Sequence, residues 1–333
     1  LACALLLVGN TVNIAADLGG MAAAASLLTG VPSIWFVPAF TIAILALLVF
    51  ASYTSMTRVL KWLTLALFSY VFAGFLARPH WPDVFAGTFL PRITPSADYL
   101  LMFVAILGTT ISPYLFFWQA AQNAEQESHL QRLVGRPRRA VERELRTAAR
   151  DVNAGMFFSN AIMYFIVLTA ATTLHRAGIT EVQTAREAAE ALRPLAGPAA
   201  SLLFSLGLVG TGMLGIPVLA GSGAYAIAEA GAWRAGMDER VHSAKNFYAV
   251  IAIAMLVGMA LNFAHVNAIR LLVWAAVVNG LLAPPLIFII LVVCNNERIM
   301  GAHRNGRALN ILGGAAAVVM TGAAAALVLS WLR

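Results

Sequence analysis

Apolar residues gather along this chain into runs about as long as the roughly 20 residues that a helix needs to cross a bilayer. Short polar or basic stretches separate nine such runs, which cover residues 4–28, 34–53, 59–77, 99–121, 152–174, 198–230, 247–264, 268–294 and 308–332. Runs of this length predict helices, because the strands of a membrane barrel alternate apolar and polar positions over about ten residues. The pattern therefore predicts an all-α polytopic membrane protein with nine transmembrane helices.

The composition agrees with a membrane protein and excludes an ordinary soluble domain. Hydrophobic residues make up 60% of the 333 residues and charged residues only 11%, whereas a soluble domain carries about 25% charged residues. We expect a single transmembrane domain over residues 1–333 with no soluble catalytic module. The two cysteines, Cys3 and Cys294, lie at the ends of predicted spans and have no spacing typical of a disulfide framework or a thiolate metal site.

Basic residues are concentrated in every second loop. If the N-terminus is cytoplasmic, most of the 22 lysines and arginines lie on the inner side, as the positive-inside rule requires. We therefore expect a bacterial inner-membrane protein with its N-terminus in the cytoplasm and its C-terminus outside. Because the arginines lie next to the membrane, they do not predict a nucleic-acid partner.

Two inter-span segments are longer than the others. Residues 122–151 are predicted to form a basic cytoplasmic loop, whose arginines either lie near anionic headgroups or are simply solvated. Residues 175–197 are predicted to form an external loop with a short helix, capped by Thr180 and ending before Pro194.

A proline interrupts the fourth apolar run. Pro113 has no N–H, so the backbone oxygen of Thr109 loses its helical partner. In hydrocarbon an unpaired carbonyl costs several kcal/mol, so such a group faces protein, water or an ion. The hydroxyls of Thr110, Ser112 and Tyr114 lie beside it in sequence, and oxygen ligands suit Mg²⁺, Mn²⁺ or Na⁺. A broken transmembrane helix of this kind is how many transporters build a cation site.

Polar residues inside the other spans are further candidates. Asn10, Asn13 and Asp17 are three and four residues apart and share one helical face, and Asp17 is the only acid near the middle of a span. Two interpretations stay open: a buried stripe bonded to a neighbouring helix, or a hydrophilic pathway for cations or protons. Asn160 and Asn279 are also candidates, although a lone amide is more typical of helix packing.

The sequence shows no sign of an enzyme. All six histidines lie in loops or at span ends, the zinc-protease spacing H-E-x-x-H is absent, and no nucleophile is accompanied by a base and an orienting group. We therefore expect neither catalysis nor a resident cofactor.

Two motifs carry a resemblance to a known family. The run N-I-A-A-D-L-G-G-M-A-A-A-A-S-L-L-T-G-V-P at 13–32 resembles the third transmembrane helix of the Nramp divalent-metal transporters. The run G-T-T-I-S-P-Y-L at 108–115 is similar to their sixth, with further matches at 219–221 and 279–285. The resemblance implies a LeuT-type fold of the APC superfamily, built from inverted repeats. It also implies an N-terminally truncated chain holding helices three to eleven and lacking helices one and two with their metal ligands.

The resemblance implies roles for the candidates named above. Thr109, through its backbone oxygen, and Ser112 would bind the metal. An ion pathway would be lined by Asp17, Asn13, Asn10, Thr110, Tyr114, Asn160 and Asn279, with Pro113 as the helix break.

Departures from the family pattern refine the expected substrate. Ser112 stands at the family's metal-binding methionine, Tyr114 at the histidine of its proton route, and Gly20 at its glutamate. We therefore expect a carrier of the divergent, magnesium-related branch that moves Mg²⁺ and/or Mn²⁺ by alternating access, without obligatory proton coupling. Its partners would be the transported ion and the lipid bilayer, and the sequence predicts no oligomeric state. The alternatives are an amino-acid or other organic-solute carrier of the same fold, or a non-transporting membrane scaffold.

Overall fold

The structure, a computed structural model, describes residues 2–50, 68–90, 96–131, 138–175, 178–179, 181–190, 200–237, 239–264 and 267–332. Throughout these residues the regular elements are helices, and no strand occurs among them. Eight helical segments in this part of the chain are long and apolar enough to cross a membrane. The predicted class, an all-α polytopic membrane protein, is confirmed.

The helices are numbered here in chain order. They are α1 (Ala2–Thr29), α2 (Ser33–Phe50), α3 (Ser69–Leu76), α4 (Trp81–Phe89), α5 (Ala97–Thr110), α6 (Pro113–Gln131), α7 (Arg138–Ala170), α8 (Ala185–Glu190), α9 (Ala200–Ala230), α10 (Lys245–Phe263), α11 (Ala268–Asn295), α12 (Glu297–Met300) and α13 (Arg307–Trp331). A π-helical turn, Ala171–His175, follows α7, and a 3₁₀ turn, Gly301–His303, follows α12.

The predicted spans match these helices closely. The eight spanning segments are α1, α2, α5 together with α6, α7 with its π turn, α9, α10, α11 and α13. The remaining prediction, 59–77, lies partly outside the described residues, and its described part contains the eight-residue helix α3.

Helix α1 is the centre of the bundle, and it packs against α2, α6, α8, α9, α10 and α11. It runs antiparallel to α9, because the Ser205 hydroxyl donates to the Ala24 backbone oxygen at 3.1 Å while Asn10 donates to the Leu219 backbone oxygen at 2.8 Å. It is also antiparallel to α11, where Gly9 lies against Leu282 and Gly19 against Ala268. These directions fit helices that cross the bilayer alternately.

Small residues let the central helices approach closely. Gly258 of α10 lies against Ile14 of α1, and Gly212 of α9 lies against the Met21 side chain. Helix association in a membrane depends on this kind of packing, because lipid tails are as apolar as the helix faces. Ile14, Met21 and Met255 are completely buried as a result.

Helices α5 and α11 come even closer, with their backbones in contact. A Cβ atom on Gly108 would meet the backbone oxygen of Ala276 and the backbone nitrogen of Gly280, and one on Gly280 would meet the backbone oxygen of Val104. Only glycine fits at 108 and 280. This crossing fixes the end of α5 immediately before the helix break.

Most of the segment predicted as a basic loop, 122–151, is helical. Helix α6 continues to Gln131 and α7 begins at Arg138, so only residues 132–137, which lie outside the described part, separate them. The end of an apolar run marks where the chain leaves hydrocarbon, not where a helix ends. Alanine, glutamate, glutamine and arginine, which dominate this stretch, are all good helix formers.

The segment predicted to be an external loop contains the short helix α8, which Thr184 caps. The Glu187 N–H donates to the Thr184 hydroxyl at 3.2 Å, and the Glu187 carboxylate accepts from the Gln183 N–H at 2.8 Å. These hydrogen bonds, chiefly that from Gln183, lower the pKa of the Glu187 carboxyl below its ordinary value. The expected cap, Thr180, lies outside the described residues.

Candidate functional site

The break between α5 and α6 is short and internally hydrogen-bonded. Helix α5 ends at Thr110 and α6 begins at Pro113. The Ser112 hydroxyl, which is buried, lies 3.0 Å from the Gly108 backbone oxygen and 3.3 Å from that of Thr109. One hydroxyl proton cannot satisfy both carbonyls fully. The break therefore gathers acceptor oxygens that have spare capacity.

The two threonines before the break use their hydroxyls within α5. Thr109 donates to the Ile106 backbone oxygen and Thr110 to that of Leu107, both at 2.8 Å. Thr109 is exposed and lies beside α7, with its hydroxyl 4.0 Å from the Met163 sulfur. The backbone oxygen of Thr109, not its side chain, is thus the ligand it can offer at the break.

Asp17 lies on α1 beside α9. Its carboxylate oxygen is 3.3 Å from the position that a Cβ on Gly215 would occupy, so the glycine leaves space for the acid. Among the described residues no side chain forms a hydrogen bond or ion pair with this carboxylate. A carboxylate that lacks such partners inside a membrane protein is costly, which makes Asp17 a candidate functional residue.

Tyr114 links Asp17 to the helix break. Its phenol interacts with the Ser112 hydroxyl and lies within electrostatic range of the Asp17 carboxylate. The fold therefore brings together one acid from α1, one phenol from the start of α6 and one hydroxyl from the break. Within the described chain this group does not include three histidine, cysteine or acidic residues that could hold a metal tightly.

The asparagines of α1 form hydrogen bonds between helices. Asn10, only 1% exposed, donates to the Leu219 backbone oxygen and to the Ser222 hydroxyl, both at 2.8 Å. Asn13 and Asn279 exchange hydrogen bonds at 3.1 and 3.3 Å, which joins α1 to α11. For these residues the geometry supports the buried polar stripe.

Asn160 is not brought to the other candidates. It is exposed on α7 and donates to the backbone oxygen of Met156, one turn earlier in its own helix. The amide is therefore hydrogen-bonded within its own helix and needs no partner on another helix. This explains how a polar side chain can lie in an apolar run without binding an ion.

Three further residues complete the arrangement. Met163 lies beside Thr109 although 54 residues separate them, Gly215 makes room for Asp17, and Ser222 accepts from Asn10. None carries a local signal, because each matters only through a partner on another helix. Asn262 forms a similar contact between helices, since it donates from α10 to the Ala15 backbone oxygen at 2.9 Å.

Comparison with known proteins identifies the family. The family model described as "Nramp: Natural resistance-associated macrophage protein-like" matches residues 1–330. The chain belongs to the Nramp family. This confirms the resemblance seen in the two motifs at 13–32 and 108–115.

Curated relatives of this Nramp chain are named "Divalent metal cation transporter MntH". That of Vibrio campbellii is 26% identical over 246 residues, covering 73% of this chain and 53% of the relative. That of Deinococcus radiodurans is 30% identical over 205 residues, covering 60% and 44%. That of Caldanaerobacter subterraneus is 30% identical over 146 residues, covering 43% and 32%. The chain thus spans between about a third and about half the length of these relatives, which are named as transporters and not as enzymes.

A solved structure shows the same fold. The manganese transporter of Eremococcus coleocola, crystallised with an aromatic bis-isothiourea substituted compound, matches with a TM-score of 0.70 and 17% sequence identity. The match covers 97% of this chain and 69% of that one. The LeuT-type transporter fold expected from the resemblance is confirmed.

Proposed function

We propose that the protein containing this chain moves divalent metal cations, Mg²⁺ and/or Mn²⁺, across the bacterial cytoplasmic membrane by alternating access. Membership of the Nramp family supports transport of a divalent metal. The observation that carries the proposal is the convergence of Asp17, Tyr114 and Ser112 at the break between α5 and α6.

The donor set at the break favours hard cations. The backbone oxygen of Thr109 and the hydroxyl of Ser112 are neutral oxygen ligands for a partly hydrated ion, which suits Mg²⁺ because it keeps several waters. Asp17 supplies a negative charge along the route and raises the local cation concentration. Tyr114 interacts with both the Asp17 carboxylate and the Ser112 hydroxyl. Thr110 lies immediately before the break, where its hydroxyl donates to the Leu107 backbone oxygen.

The packing supports rocking of the broken helix against a scaffold. Helices α1, α9, α10 and α11 are tied by asparagine hydrogen bonds, at Asn10, Asn13 and Asn262. The segment at the break contacts this scaffold through glycines, among them Gly108 and Gly280. In transporters with inverted repeats, alternating access is largely the movement of one such body against the other around a fixed site.

Ion uptake by the complete protein in proteoliposomes tests the proposal. We expect uptake of Mg²⁺ and Mn²⁺ with little discrimination, because no thioether stands at position 112. We expect Ser112→Met to shift competition towards Mn²⁺ and Cd²⁺ by adding a soft ligand. Met163→Leu is the matched control, since it removes a thioether beside Thr109 but not at the proposed ligand position, and it should leave the preference unchanged.

Three outcomes would contradict the proposal. Uptake of an amino acid without metal uptake would favour an organic-solute carrier, and no uptake of any solute by a folded protein would favour a scaffold. Strong Cd²⁺ uptake with Mg²⁺ excluded would remove the hard-ligand site.

The proposed orientation has its own test. An impermeant maleimide should label His303→Cys only from the cytoplasmic side and Gly178→Cys only from the outside, in a variant in which Cys3 and Cys294 are replaced by serine. The opposite labelling pattern would reverse the topology.

A further inference from the structure

The connection between α9 and α10 forms an open cavity at the protein surface, well separated in sequence from the helix break. It has a volume of about 280 Å³ and is lined by Trp233, Arg234, His242, Ser243, Lys245 and Asn246, together with Ala244. Among the described residues that line it there is no acidic side chain. The described part of its wall thus presents a guanidinium, an ammonium, an imidazole, a hydroxyl and an amide.

Two tyrosines hold the backbone around this cavity in place. The Tyr225 hydroxyl of α9 accepts from the Met237 N–H at 3.0 Å, and the Tyr248 hydroxyl of α10 lies 3.2 Å from the Met237 backbone oxygen and 3.0 Å from that of Glu239. Tyr225 also packs on Phe247, with ring centroids 4.8 Å apart. The connection is pinned from both helices, so its cavity is formed before any ligand arrives.

A strained turn places Trp233 at the edge of the cavity. Helix α9 closes with hydrogen bonds from Trp233 to Ala228 at 2.8 Å and from Ala232 to Glu229 at 3.2 Å, the pattern of a Schellman cap. Ala232 takes the left-handed position, with φ of 52°, which usually belongs to glycine. Ala232 is next to Trp233, which lines the cavity. Strained backbone of this kind is often found at functional sites.

The opposite wall is the beginning of α10. Its cap residue, Ala244, has no side-chain hydrogen bond to the first turn, so the N–H groups of that turn add partial positive charge to that of Lys245 and Arg234. Arginine and lysine on one concave surface recognise phosphate, the first through a planar fork and the second as a point charge.

The position of the cavity agrees with a ligand at the membrane surface. It lies where two membrane-spanning helices, α9 and α10, end and begin, on the side that the basic residues assign to the cytoplasm. Trp233 is 42% exposed there, and tryptophan is enriched at the headgroup level of membranes. Basic cavities between transmembrane helices on this side are typical binding sites for anionic headgroups.

We propose that this cavity binds a phosphate group, presented by the headgroup of an anionic phospholipid or by a soluble phosphate compound. Arg234 and Lys245 contact the phosphate oxygens, Ser243 and Asn246 donate further hydrogen bonds, and Trp233 covers the site from the membrane side. The site is independent of metal transport, so it stands whether or not the transport proposal holds.

Thermal unfolding and native mass spectrometry of the purified complete protein test this proposal. The probes are detergent micelles containing phosphatidylglycerol, micelles containing phosphatidylcholine, and inorganic phosphate against chloride at matched ionic strength. The variant is Arg234→Gln with Lys245→Gln. The matched control is Arg298→Gln with Arg304→Gln, which removes the same charge from the connection between α11 and α13, on the same side of the membrane.

We expect phosphatidylglycerol, but not phosphatidylcholine, to raise the unfolding temperature of the unaltered protein and to remain bound in the mass spectrometer. The cavity variant should bind it on the order of tenfold more weakly, given the usual contribution of each basic residue near an anionic surface, and the control variant should behave as the unaltered protein does. Stabilisation by inorganic phosphate that the cavity variant loses would assign the site to a soluble phosphate. No effect of either probe, or equal losses in both variants, would overturn the proposal. Lys245→Gln alone serves if the double variant fails to fold.

Discussion

Helix α1 carries two polar regions one turn apart that behave in opposite ways. Asn10 and Asn13 have amides that are hydrogen-bonded to α9 and α11, whereas Asp17 has no hydrogen bond or ion pair within the described residues. All three are expensive in a membrane. The asparagines offset that cost by joining helices, and the acid does not. Polarity inside a span therefore has two meanings, and only the presence or absence of partners separates them.

The largest expected effect concerns Asp17. Asp17→Asn should lower metal uptake by on the order of tenfold, because it removes the charge that concentrates cations near the break. The unfolding temperature should change little, since no described partner is lost. Uptake into liposomes together with thermal unfolding measures both quantities.

Proton movement gives this prediction a second measurement. With Tyr114 and Gly20 at the positions of the family's histidine and glutamate, metal uptake should not be obligatorily coupled to protons. An internal pH dye should therefore show no stoichiometric acidification. Acidification that follows metal uptake and vanishes in Asp17→Asn would make Asp17 a proton carrier instead.

The second-largest expected effect concerns Asn10, in the hydrogen-bonded polar region of α1. Asn10→Leu should lower the free energy of unfolding by about 1 to 2 kcal/mol, because the buried Leu219 carbonyl and Ser222 hydroxyl lose their partner. Uptake per folded molecule should be retained. Asn160→Leu is the control, because its amide bonds only within α7 at an exposed position, and its stability should be unchanged. If Asn10→Leu loses much of its uptake but none of its stability, then Asn10 acts in transport as Asp17 does, and the two regions of α1 do not differ in role.

Local patterns predicted the spans and the broken helix, and they made Asp17 a candidate. Each of these predictions needs only neighbouring residues: the length of an apolar run, the missing N–H of Pro113, or an acid within a span. The pairings that decide what each polar group does could not be predicted. Asn13 and Asn279 are 266 residues apart, and the contact of Gly108 with Gly280 depends on how α5 crosses α11. Only the fold determines such contacts.

Helix ends were predicted less well than spans, for a physical reason. Apolar runs indicate where hydrocarbon begins and ends, while α6 and α7 extend beyond their apolar runs on helix-forming polar residues. At the start of α8, Thr184 caps the helix by accepting from the Glu187 N–H, while the Glu187 carboxylate accepts from the Gln183 N–H.

A smaller effect compares two similar amide pairs, one inside the bundle and one at an exposed position. Asn13 and Asn279 exchange hydrogen bonds inside the bundle, and Asn295 and Asn310 do the same at 2.8 and 2.7 Å on an exposed surface. A double-mutant cycle of alanine substitutions should give a coupling of about 0.6 kcal/mol for the inner pair. The exposed pair should give less, because water replaces the lost partner. Equal couplings would show that burial does not strengthen these bonds.

The smallest effect compares Asp17 with an acid that has partners. The Gln183 N–H holds the pKa of Glu187 below its ordinary value, so folding favours the ionised carboxylate. This contribution is present above the carboxyl's unfolded pKa and is lost as the pH falls through its lower, folded pKa. Amide hydrogen exchange in α8 should therefore speed up on acidification in the unaltered protein. In Glu187→Gln exchange should already be faster at neutral pH and should depend less on pH, after correction for intrinsic exchange rates. Glu181→Gln removes the same charge without removing the bond to the Gln183 N–H, so it should keep the pH dependence. If the pH dependence of exchange is lost in Glu181→Gln as well, the effect arises from net charge and not from the hydrogen bond at the cap.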